Sequence, residues 1–90
     1  MNQQDEQFKK YDQYVTDLPD GNKEITLSDG STMIMREPTV GDQLIATKTG
    51  IAAESEILYI ANLTMKTPDD IKKVKMKDYS KLQAALKGFL

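Results

Sequence analysis

Acid–base chemistry in this sequence falls to carboxylates, because histidine and cysteine are both absent. Their absence removes the commonest general base, the thiol nucleophile and the usual transition-metal ligands. Two carboxylate pairs stand out, Glu54 with Glu56 and Asp69 with Asp70. Residues two apart on a helix point to different faces, so Glu54 and Glu56 do not converge. Asp69 and Asp70 follow Thr67-Pro68, and acids in the first turn of a helix are explained by its dipole. The five glycines are scattered and form no phosphate-binding loop. No catalytic residue, cofactor-binding residue or metal ligand is assigned, and the chain is read as non-enzymatic.

The lysines are the other chemically suggestive set. Lys72, Lys73, Lys75, Lys77, Lys81 and Lys87 crowd the C-terminal third, whereas the first 35 residues hold seven acids against three lysines. Two short basic helices could form a helix-turn-helix, so a small nucleic-acid-binding regulator is the rival functional reading. Against it, base readout leans on arginine and the chain has one, Arg36. A solvated helix face explains the lysines more simply.

These residues need elements to position them. Glu24-Ile-Thr-Leu-Ser and Ser31-Thr-Met-Ile-Met-Arg alternate around Asp29-Gly30, the pattern of a hairpin. Ile25, Leu27, Ile34 and Thr32 are expected on its inner face. At Arg36-Glu37-Pro38-Thr39-Val40-Gly41-Asp42 the period changes. Pro38 ends strand pairing, Thr39 offers a helix cap and Asp42 answers it three residues later. Arg36, Glu37, Pro38, Thr39 and Asp42 are therefore assigned to a structural junction between strand and helix. A first helix is expected over 40–48, with Val40 and Leu44 inward and Gly50 closing it. The second, over 52–65, is apolar on nearly every side. Thr67-Pro68 opens a short third helix, over 68–74. In a fourth, over 77–88, Tyr79, Leu82, Ala85, Leu86 and Phe89 face one way, and Ser80, Lys81, Ala84 and Lys87 the other.

The expected fold is α+β: an N-terminal β-hairpin packed on three to four short α-helices, preceded by a mobile arm. The polar arm is placed at 1–20, with a short helix near Phe8, Tyr11, Tyr14 and Val15, and a single domain at 21–90. Lack of cysteine fits a reducing compartment. No apolar run approaches the ~20 residues of a membrane helix, and the opening residues carry no signal-peptide pattern. The expected location is the bacterial cytoplasm.

From Ile25 to Leu90 the chain resembles the phage tail assembly chaperones of contractile-tailed, Mu-like and related phages and prophages. The matching features are the Leu27-Ser-Asp-Gly turn, the Arg36-Glu-Pro junction and the apolar helix Glu54-Ser-Glu-Ile-Leu-Tyr-Ile-Ala-Asn-Leu-Thr. They continue with Thr67-Pro-Asp-Asp-Ile and end with Lys77-Asp-Tyr through Gly88-Phe-Leu. The resemblance implies a helper of virion assembly that coats the tape-measure protein until tail-tube subunits polymerise around it, with tape-measure and tail-tube proteins as partners. It implies no catalytic residues and no cofactor.

A holdase needs apolar surface on a small charged frame. Helix two offers more of it than a 70-residue domain readily buries. Ile57 and Ile60 are expected inside; Tyr59, Leu63, Phe89 and Leu90 are expected to stay partly exposed, for a partner or for self-association. The alternative is that the hairpin covers that second side.

Overall fold

The computed structural model of the chain describes residues 9–47, 50 and 52–90. A 3-10 turn, Asp12–Tyr14, leads into three strands: β1 (Val15–Asp17), β2 (Lys23–Thr26) and β3 (Thr32–Met35). They form one antiparallel sheet in the order β1-β2-β3. Four helices follow: α1 (Val40–Thr47), α2 (Ala52–Thr64), α3 (Pro68–Lys72) and α4 (Met76–Phe89). This is the expected α+β arrangement, enlarged by one strand.

Both turns of the sheet are built the same way. Leu18 N–H donates to Asn22 O at 2.9 Å around Pro19-Asp20-Gly21, and Leu27 N–H donates to Ser31 O at 2.8 Å around Ser28-Asp29-Gly30. In each, the aspartate carboxylate accepts the N–H two residues on, from Asn22 at 3.0 Å and Ser31 at 2.9 Å. The glycine takes φ +89° in both. A three-residue loop ending in a left-handed glycine is the usual alternative to a two-residue hairpin.

That loop length corrects the expected inner face. A two-residue turn at Asp29-Gly30 would set Ile34 opposite Ile25. The extra residue shifts the register by one, so Ile25 pairs with Met33 and Lys23 with Met35. A one-residue slip reverses every side chain. Met33 and Met35 are therefore buried with Ile25, while Thr32 and Ile34 face solvent. Leu27 packs at the core's margin as expected.

Val15–Asp17 is a strand within residues 1–20, where an arm was expected; Phe8 and the residues before it lie outside the described residues. Tyr14, just before β1, lies over α4, with Lys81 Nζ 4.0 Å from its ring centre.

The core lies between the inner sheet face and helices α2, α3 and α4. Ile25, Met35, Ile60, Leu63, Ile71 and Leu82 are its largest fully buried side chains, with Ala61, Ala85 and Leu86 filling between them. Helix α3 has a complete capping box: Asp70 N–H donates to Thr67 Oγ1 and Thr67 N–H to Asp70 Oδ2, each at 3.1 Å. Helix α2 ends in a Schellman turn, with Lys66 N–H reaching back to Ala61 O at 2.9 Å. The left-handed residue there is Met65, at φ 60°, where glycine would be the unstrained choice.

Helix α4 departs from its expected phase on one side. Leu82, Ala85 and Leu86 are buried as expected, but Lys81 and Ala84, expected outside, are buried too. Lys81 Nζ donates to Asp78 Oδ1 at 3.1 Å. Asp78 also accepts Ser28 N–H at 2.9 Å and Ser28 Oγ–H at 2.8 Å. This buried knot ties the β2–β3 turn to the first turn of α4. A second link joins α4 to α2: Glu56 Oε1 accepts from Tyr79 OH at 2.6 Å and from Gln83 Nε2 at 2.8 Å.

Candidate functional site

The junction residues read from the sequence converge. The Arg36 guanidinium grips Asp42 with two parallel bonds, Nη1 to Oδ2 at 2.7 Å and Nη2 to Oδ1 at 2.6 Å. Thr39 N–H donates to the same carboxylate at 2.8 Å, and the Thr39 hydroxyl lies 3.0 Å from it. Asp42 N–H approaches Thr39 Oγ1 at 3.3 Å. Glu37 N–H is taken by Asn22 Oδ1 at 3.1 Å, which ties the junction to the end of the first sheet turn. Asp42 is buried and accepts from four donors, so its carboxylate is committed to holding the junction together.

Hydrogen bonding from Arg36 holds the Asp42 carboxyl far below the usual carboxylate range; burial opposes this and the Thr39 donors reinforce it. For Asp78 burial pushes upward, but the Ser28 hydroxyl and N–H together with Lys81 outweigh it, and it too lies below its ordinary value. The sign for stability follows. Both folded values are depressed, so the stabilisation is present above the ordinary value of 3.8 and is lost as pH falls below it. Unfolding midpoints in urea should be nearly level from about pH 7 to 5 and drop steeply below about pH 4. A midpoint unchanged down to about pH 3 would contradict the two buried carboxylates.

Asp42 also fixes which side of α1 meets the body. Asp42 and Ala46, one turn apart, are the buried residues of this helix. Val40 and Leu44 lie about 160° away around the axis, and they are 76% and 61% exposed. Ile45 is exposed on the flank. The expected inward placement of Val40 and Leu44 is thus corrected. Hydrophobicity alone phases the helix one way; the ion pair from Arg36 turns it the other. The packing partner of α1 is α2.

The four residues expected to contact partners are placed differently from one another. Leu63 is 1% exposed and belongs to the core, which corrects its expected exposure. Its carbonyl accepts Arg36 N–H at 2.9 Å, so the last turn of α2 is fastened beside β3. Tyr59 and Phe89 are half-buried against the core, and Lys23 Nζ lies 4.9 Å from the Phe89 ring centre. Leu90 is 79% exposed. Ile60 is buried as expected, and Ile57 is half-buried.

Among the described residues no three acids come together as metal ligands, and no helix is long and apolar enough to cross a membrane. Large apolar side chains exposed among the described residues are Val40, Leu44 and Ile45 on α1, together with Ile34, Met65, Met76 and Leu90.

No curated protein and no solved structure matches the chain. A family does, over residues 20–90, described as phage tail assembly chaperone proteins, E, or 41 or 14. That span takes in β2, β3, the Arg36–Asp42 junction and helices α1 to α4, and the chain belongs to the phage tail assembly chaperone family.

Proposed function

We propose that this chain holds the helical tape-measure protein in the host bacterial cytoplasm until tail-tube subunits assemble around it, and that the outer face of α1 makes the principal contact. The observation that carries this is the exposure of Val40 and Leu44, with Ile45 beside them, on a helix whose inward face is fixed by an ion pair. Apolar residues one turn apart suit a helix laid alongside, contacted at the same spacing. Tyr59, Phe89 and Leu90 add their uncovered edges; Leu63 is core and is left out of the proposed contact. Tail-tube protein is the second partner in this reading.

Co-expression tests it. Tape-measure fragments that aggregate alone should become soluble and copurify, and the complex should survive high salt because apolar contact dominates. Binding to duplex DNA at low salt that is lost by about 0.2 M, with no copurifying fragment, would overturn the reading in favour of a nucleic-acid regulator.

A further inference from the structure

Strand β3 is an edge of the sheet, and its free side faces a groove of about 420 Å³ that ends against the last turn of α2. The ladder decides which backbone groups face it. Leu27 and Ser31 form a hydrogen-bonded pair. Pairs alternate along an antiparallel ladder, so Ile25–Met33 and Lys23–Met35 bond within the sheet. The N–H and C=O of Thr32 and Ile34 then point away from β2, into the groove. One step on, at Arg36, the outward N–H is already used: it donates to Leu63 O, where α2 lies beside the edge.

The groove is lined by Ile34, Met65, Arg36 and Lys66 among others, and by no carboxylate. Arg36 is paired with Asp42; Lys66 makes no close ion pair among the described residues, with the Asp70 carboxylate in its field as the nearby opposite charge. Met65 holds a strained backbone and is 85% exposed. Glycine would relieve the strain but would remove the apolar side chain from the rim.

We infer that this groove takes an extended segment of another protein, added as a fourth strand to β3, with apolar side chains set against Ile34 and Met65 and a carboxylate toward Lys66. Backbone donors and acceptors in register call for a strand, since a helix has satisfied its own. The Lys66 charge, with no carboxylate in the lining, favours an acidic segment over a second copy of this chain, whose β3 edge brings a second lysine and no carboxylate. The site uses residues distinct from the α1 face, so either assignment can fail alone.

The probe is an end-capped synthetic hexapeptide of alternating valine and glutamate, added to the full chain. Amide exchange at Thr32 and Ile34 should slow by at least about tenfold at saturation, since those N–H groups gain partners. The same peptide with lysine for glutamate should bind about fivefold or more weakly, a modest charge effect. A version N-methylated on alternate residues should give no protection. Thr32→Pro removes an N–H the ladder does not use, so it should keep the fold and lose peptide binding. Met65→Gly should raise the melting temperature while weakening the peptide about tenfold, as loss of one apolar anchor does. Unchanged exchange at Thr32 and Ile34 in the folded chain would overturn the inference. So would equal binding of the lysine peptide, or protection of these amides by self-association without peptide.

Discussion

Arg36→Ala should destabilise the fold by about 3–5 kcal/mol at pH 7, the cost of stripping a buried carboxylate of its partner. Asp42 is buried, and its two strongest bonds come from the guanidinium. Thr39 alone would be left to satisfy it. The effect should shrink as pH falls, because Asp42 without Arg36 takes up a proton more readily and its burial then costs less. The Arg36→Ala, Asp42→Ala double variant should lose about 1–3 kcal/mol less than the sum of the singles, since the second change removes the orphaned charge. Arg36→Lys should recover little, because an ammonium cannot supply the two parallel bonds. Urea unfolding across pH measures all of these. Additive losses would mean that the pair is not coupled.

Leu86→Ala should cost about 2–5 kcal/mol. Leu86 is buried on the face of α4 that also carries Leu82 and Ala85 within the core. A domain of this size holds roughly 5–10 kcal/mol in total, so the loss is a large share of it and should shift thermal unfolding by many degrees. An unchanged melting temperature would place Leu86 outside the core.

What could be read from the sequence was local. The Ser28-Asp29-Gly30 turn, the Thr39–Asp42 junction and the Thr67-Pro68 helix start each carry their chemistry within four residues. Pro19-Asp20-Gly21 carries the same chemistry as the second turn. No period-two signal marks it in the sequence, because the strand before it, Val15–Asp17, is three residues long and sits among polar neighbours.

What could not be read was which face turns inward. The left-handed glycine of the β2–β3 loop adds one residue and exchanges Ile34 for Met33 and Met35. The Arg36 guanidinium draws Asp42 in and turns Val40 and Leu44 out. Lys81 is buried because Asp78, itself satisfied by Ser28 fifty residues earlier, gives it a partner inside. In each case a polar bond or a loop outvotes an apolar stripe. An exposed apolar face made by Val40, Leu44 and Ile45 thus lies on α1, where an inward face was expected. The Arg36, Glu37, Pro38, Thr39 and Asp42 set, read as structural, is the device that puts it there.

In the proposed function the outer face of α1 binds the tape-measure helix. The most direct measurement is the affinity of a purified tape-measure fragment for the wild-type chain and for Val40→Ser, Leu44→Ser made together. Both side chains are largely exposed, so the double variant should keep its melting temperature within about 2 °C. It should bind at least about 30-fold more weakly, the loss expected when central apolar anchors are removed. A folded double variant that binds as tightly as wild type would rule out the α1 face as the contact.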